Sequence, residues 1–86
     1  MTIKIIFLDR DGVINQDIGY LHKIEDCKFI NGVFKACQYF KSLGYQIAIV
    51  TNQSGISRGY FSENDFQIIT DWMIDQFKKN NINILD

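Results

Sequence analysis

Ile3, Ile5, Ile6, Phe7 and Leu8 form a near-continuous apolar run that gives out at Asp9-Arg10-Asp11-Gly12. A run apolar at almost every position suits a strand covered on both faces of an α/β sheet better than an alternating, half-exposed one. Asp9 then stands at the carboxyl end of the strand, just where open α/β sheets bind their ligands. Gly12 lets the backbone turn sharply past it. A second apolar run, Ile47-Ala48-Ile49-Val50, ends in Thr51-Asn52-Gln53-Ser54-Gly55. Between the runs, Gly32 to Leu43 reads as an amphipathic helix, with Val33, Ala36, Cys37 and Phe40 at i, i+3, i+4 and i+7. Asn31 is its expected N-cap and Gly44 its C′ stop. Such a crossover makes the two strands parallel neighbours and brings Thr51 beside Asp9.

That placement has chemical content. An ionised Asp9 could attack phosphorus and carry an aspartyl-phosphate, dividing hydrolysis into two easier steps. Asp11 could protonate the leaving oxygen and then deprotonate water. Thr51 Oγ and the backbone N–H groups of Asn52 to Gly55 could hold phosphate oxygens. An acidic turn after a strand explains Asp-x-Asp-Gly alone equally well. The two segments together, in this order with a helix between them, are far more specific.

The segments resemble motifs I and II of the haloacid dehalogenase (HAD) superfamily of phosphatases. Asp9 to Asn15, Gly19-Tyr20 with His22, Phe29-Ile30 with Gly32-Val33, and Thr51 to Ile56 with Arg58-Gly59 and Phe61 resemble its D-glycero-D-manno-heptose 1,7-bisphosphate 7-phosphatase group. The histidinol-phosphate phosphatases share Asp-Arg-Asp-Gly and Thr-Asn-Gln and are the nearest alternative. The resemblance implies a Rossmann-like parallel sheet with a small flap after the first strand. It implies removal of the 7-phosphate from the heptose bisphosphate on the way to lipopolysaccharide precursors. Asp9 is implied as nucleophile and Mg2+ ligand, and Asp11 as acid/base that also ligates the metal through its backbone carbonyl. Thr51 and Asn52 would bind the transferring phosphate, with Arg10 and Gln53 also meeting substrate. Asp17, Ile18, Gly19 and Tyr20 would form a substrate-contacting flap, and Ser54 and Arg58 would lie near the sugar or its second phosphate. Mg2+ suits such a pocket, because it takes oxygen ligands and relieves repulsion between an anionic nucleophile and an anionic phosphate.

The family also needs a motif III Lys and a Gly-Asp motif IV, and the heptose group often adds a Cys/His zinc loop. None of these is among the 86 residues. Lys78-Lys79 falls at an expected helix end, where lysines complement the dipole, and is not assigned to motif III. The expectation is therefore the N-terminal part of a single HAD-like hydrolase domain, 1–86, inactive by itself. A fragment that keeps the phosphate and metal pocket without turnover is the alternative outside enzymes, along with a receiver-like domain that holds a long-lived phospho-Asp. Asp11 as acid/base argues against the receiver.

With 47% hydrophobic and 22% charged residues the chain is globular rather than disordered. A net charge of −1 provides no electrostatic footprint for nucleic acid or an anionic membrane. A small phosphorylated sugar is the expected partner, and the cytoplasm the default compartment without a signal peptide or long apolar span. Cys27 and Cys37 form no zinc pattern and are expected reduced, Cys37 in the core. Further on, Ser62-Glu63-Asn64-Asp65 resembles a capping box opening a helix whose stripe is Phe66, Ile69, Met73 and Phe77, running to about Lys79. Trp72 belongs with that core. Asp17 to Phe29 lacks a helical period and fits a short hairpin or flap, with His22 exposed. Asn81 to Asp86 begins to alternate like a strand. In the family fold the first strand is central; without the strand that bears motif IV it becomes an apolar edge, a route to self-association.

Overall fold

The computed structural model describes residues 3–51 and 58–85. Strand β1 spans Lys4–Asp9 and β2 spans Tyr45–Val50, paired in parallel from Lys4 opposite Tyr45 to Asp9 opposite Val50. Helix α1, Val33–Ser42, is the crossover between them. Helix α2, Glu63–Lys79, leads to β3, Ile84–Leu85, which joins β2 in parallel opposite Ile47 and Ala48. The sheet order is β1-β2-β3. Among the described residues β1 therefore forms one edge, as expected if its other neighbour is absent.

Alternation along the strands decides which face is buried. Ile6 and Leu8 of β1, Ile47 and Ile49 of β2, and Ile84 of β3 share one core with Val33 and Cys37 of α1, Met73 and Phe77 of α2, and Ile82. Edge-on contact of the Phe34 and Phe77 rings, 5.0 Å between centroids, ties α1 to α2. Phe29 stacks on Trp72 at 5.6 Å and closes the same cluster, so Trp72 is a core residue. Each fully buried side chain of this size contributes about 1.5–3 kcal/mol.

The expectation of a first strand covered on both faces is corrected. Ile5 and Phe7, which alternate with Ile6 and Leu8, are exposed, Phe7 by 67%. Among the described residues the helices contribute to one core on the Ile6/Leu8 side, and a continuous apolar run cannot reveal which face they leave open.

Local signals set the helix ends. Ser62 Oγ accepts from the Asp65 N–H at 3.0 Å while Asp65 Oδ2 accepts from the Ser62 N–H at 3.2 Å, the expected reciprocal cap. Lys78 and Lys79 sit in the last turn of α2, where Lys79 pairs with Asp75 in solvent. Gly44, at φ +88°, follows α1 as its stop and donates its N–H to the Lys41 carbonyl. The N-cap of α1 differs from expectation: it is Gly32, left-handed at φ +87° and without a side-chain cap, not Asn31. The glycine's conformational freedom turns the chain into the helix there, a role Asn31 one residue earlier does not fill.

Residues 17–29 form no strand pair. The chain leaves at Asn15 and returns at Phe29 through a single antiparallel bridge, reinforced by the Gln16 N–H on the Lys28 carbonyl at 2.8 Å, with one 3-10 turn at Ile24–Asp26. The segment is a flap rather than a hairpin. Buried Leu21 anchors it, and His22 is half-buried against Phe61 rather than exposed. Both cysteines are free, and Cys37 is in the core.

Candidate active site

Parallel pairing delivers Asp9 to the edge of the sheet and then continues one residue further, with the Arg10 N–H on the Val50 carbonyl at 3.0 Å. Beyond it the chain wraps around a single acceptor. The Arg10 carbonyl receives the N–H groups of Val13, Ile14 and Asn15 at 3.4, 2.9 and 3.1 Å, and the Gly12 N–H closes back on the Asn15 carbonyl at 2.7 Å. Gly12 stands at φ +87°, a conformation other residues adopt only with strain, which is why a glycine follows the second aspartate. The wrap carries Ile14 into the core and leaves Asp9 and Asp11 at the rim.

Asp11 is held from two sides. Arg10 donates Nε to Oδ1 at 3.3 Å and Nη2 to Oδ2 at 3.2 Å, a charge-assisted fork between adjacent residues. Asn15, wholly buried, donates Nδ2 to Asp11 Oδ1 at 3.0 Å and to the Gln16 carbonyl at 2.9 Å. The Arg10 guanidinium is itself buried and also donates to the Leu21 carbonyl at 3.1 Å, so one cation joins the second carboxylate to the flap. Cys27 is close enough to feel both charges of this pair. Burial raises its thiol above the ordinary value, the Arg10 charge acting against that shift and the Asp11 charge adding to it.

A cavity of about 460 Å³ opens at this rim, bounded by Asp9, Arg10, Asp11 and Val50 from the strand ends, Asp17, Gly19 and Tyr20 from the flap, and Phe61 from the segment before α2. The sequence-derived candidates Asp9, Arg10, Asp11, Asp17, Gly19 and Tyr20 thus meet in one place. Ile18 is exposed and does not line it. Thr51 follows Val50 at the end of β2 and lines a neighbouring cavity of about 270 Å³ with Arg10, Phe66 and Thr70. Arg58 reaches the flap instead, donating Nη1 to the Tyr20 hydroxyl at 2.9 Å. Asn52, Gln53 and Ser54 lie outside the described residues. Asn15 and Phe61 carried no assigned role in the sequence reading: the turn alone brings Asn15 back to Asp11, and the stack with His22 spans too many residues to leave a local pattern.

Three carboxylates face one guanidinium around this cavity. A phosphate entering it meets net negative charge, so a cation is needed to make anion binding favourable. Among the described residues no group of three or more His, Cys, Asp or Glu could hold a metal ion by itself. Mg2+ fits that donor set, because it binds through one or two carboxylates and takes its remaining oxygens from water and substrate phosphate. Asp9 and Asp11 are the residues that would hold it.

No model of a known protein family matches the chain. It is 49% identical over 84 residues to the D-glycero-alpha-D-manno-heptose-1,7-bisphosphate 7-phosphatase of Photorhabdus laumondii, covering 98% of this chain and 46% of the relative. It is 57% identical over 70 residues to the beta-anomer enzyme of Haemophilus influenzae, covering 81% of this chain and 38% of that one. The crystal structure of D,D-heptose 1,7-bisphosphate phosphatase from B. bronchiseptica, complexed with magnesium and phosphate, superposes with a TM-score of 0.81 at 29% identity, over 96% of this chain and 50% of that one. The chain spans about half or less of the length of the curated relatives it matches.

Proposed function

The chain is homologous to the heptose 1,7-bisphosphate 7-phosphatases and shares the fold of HAD-like phosphatases, and from that premise we propose that its acidic cavity serves magnesium-dependent removal of the 7-phosphate from D-glycero-D-manno-heptose 1,7-bisphosphate. One observation carries the reading: Asp9 and Asp11 open on the same cavity at the carboxyl end of a parallel strand, with Asp17 and Tyr20 of the flap across it.

In this reading Asp9 attacks phosphorus, and the bond from phosphorus to the sugar oxygen breaks as the aspartyl-phosphate forms. Asp11 gives its proton to the departing oxygen and then takes one from the water that attacks the phosphoenzyme, which returns Asp9 and releases phosphate. Arg10 and Asn15 hold the Asp11 carboxylate in reach of both events. Thr51 and Asn52 bind the phosphate oxygens, with Gln53 and Ser54 next in sequence also meeting substrate. Asp17 to Tyr20 contact the sugar, and Arg58 lies toward its far phosphate. Bound Mg2+ would supply the positive charge that lets nucleophile and phosphate approach. The 86 residues form the N-terminal part of one hydrolase domain and do not turn over unaided, because the lysine and the further acid that the family places in motifs III and IV are not among them. The sugar phosphate is the partner and the cytoplasm the compartment; among the described residues no helix is long and apolar enough to cross a membrane.

The test is a chimera in which these 86 residues replace the matched segment of the Photorhabdus relative. The reading predicts magnesium-dependent phosphate release from the heptose bisphosphate by the chimera, loss of release with Asp9→Asn, and none from the 86-residue chain alone. Release that survives Asp9→Asn refutes the assigned nucleophile, and preference for histidinol phosphate refutes the assigned substrate.

A further inference from the structure

The flap is not merely draped over the cavity; three successive residues of it are gripped. Leu21 is held through its carbonyl by Arg10. His22 lies parallel to the Phe61 ring, with centroids 5.5 Å apart and planes 9° from parallel. Tyr20 stacks on Tyr60 at 4.4 Å with planes 29° apart, while its hydroxyl accepts from Arg58 Nη1. Tyr20 also adopts φ +46°, a left-handed conformation that a bulky side chain holds only when its surroundings impose it. Gly19 just before it is at φ +73° and donates its N–H to Asp17 Oδ1. The loop is thus bent to bring the Tyr20 ring to the cavity wall, and contacts from residues 58–61 hold it there.

Unlike Arg10 and Phe61, Tyr60 does not itself line the cavity, and it is 57% exposed. Among the described residues its ring stacks on Tyr20 alone. The geometry points to Tyr60 as a positioning residue that latches Tyr20 over the carboxylates and so sets the width of the mouth through which the body of a phosphoester must pass. This rests on the reading of the cavity as a phosphoester site. Inorganic phosphate has no body to be gripped and should be indifferent to the latch, whereas a sugar phosphate should feel it. Loss of one aromatic stack corresponds to about two- to tenfold in affinity.

The test uses the 86-residue chain with labelled tyrosines. The Tyr20 ring resonances are compared in the wild type, Tyr60→Leu and Tyr60→Phe, and each protein is titrated with inorganic phosphate and with a heptose phosphate in the presence of Mg2+. Because Tyr60 is exposed, Tyr60→Leu should fold normally, which the unchanged methyl resonances of the core would establish. The expected result is a displaced Tyr20 ring in Tyr60→Leu, a sugar phosphate weakened by up to about tenfold and by more than inorganic phosphate, which stays within about twofold, and restoration of both by Tyr60→Phe. An unmoved Tyr20 ring overturns the latch, as does an equal loss for both ligands. Should the wild type bind neither ligand, the phosphoester reading fails and the selecting role falls with it, while a displaced ring would still sustain the physical contact.

Discussion

Asn15→Asp tests how the site is held with almost no change in shape. The amide of Asn15 donates to Asp11 Oδ1 and to the Gln16 carbonyl from a fully buried position, and the substitution places an oxygen where that donor was. Two hydrogen bonds are lost, one to a charged acceptor, together about 2–4 kcal/mol. If ionised, the new carboxylate also stands about 3 Å from that of Asp11, and Coulomb's law at an effective dielectric of about 20 gives roughly 5 kcal/mol of repulsion. Two effects limit this: Arg10 already pairs with Asp11, and the buried newcomer can take up a proton instead. The expected total is about 3–5 kcal/mol at pH 7, against roughly 4–13 kcal/mol for the stability of a chain of this length. Asn15→Ala, which loses the bonds without adding charge, should cost about 2–3 kcal/mol. Burial and the Asp11 charge raise the new carboxyl above its unfolded value, so its folded form keeps a proton that the unfolded chain releases. Stability of Asn15→Asp is then best below about pH 4 and falls as pH rises through the raised folded value. Urea unfolding followed by Trp72 fluorescence measures all of this. A variant as stable as wild type at pH 7, or a gap between Asn15→Asp and Asn15→Ala that does not narrow from pH 7 to pH 5, would refute the reasoning.

Ser62→Ala removes one half of the reciprocal cap on α2 and should destabilise the fold by about 1 kcal/mol in the same urea experiment. Burial holds the Cys37 thiol above its ordinary 9.0, so the folded chain stays protonated where the unfolded chain ionises; stability should be full below pH 9 and decline above it, and Cys37→Ala should flatten that decline. The uncovered edge and outer face of β1 should drive self-association: sedimentation velocity at rising concentration should show species larger than a monomer, and Phe7→Glu should suppress them, whereas a wild type monomeric at high concentration counts against it.

What the sequence revealed was what is local. The stripe Ile69, Met73 and Phe77 follows from helical periodicity, and the Ser62 to Asp65 cap from a four-residue pattern, so both were readable. Parallel pairing of β1 with β2 followed from two apolar runs and the helix between them. The strand's bare outer face was hidden because Phe7 and Leu8 are equally apolar, and only the position of the helices distinguishes them. Residue preference favours Asn31 as a cap, while the turn needs the backbone freedom of Gly32. In the site, Asp9 and Asp11 were legible from chemistry plus position on a strand. The grip of Asn15 on Asp11 depends on the wrap around the Arg10 carbonyl, and the Tyr20–Tyr60 stack joins residues far apart in the chain. No spacing rule announces either one.

Whether Asp9 and Asp11 frame a pocket for phosphate and Mg2+ together is decided by titrating the 86-residue chain with inorganic phosphate, with and without Mg2+, and following backbone amide resonances by NMR. Mg2+ should strengthen phosphate binding, the shifts should centre on Asp9 to Gly12 and Thr51, and Asp9→Asn should remove the coupling while the fold persists. Phosphate binding indifferent to Mg2+ and to Asp9→Asn, or shifts that leave Asp9 to Gly12 untouched, would contradict a shared pocket.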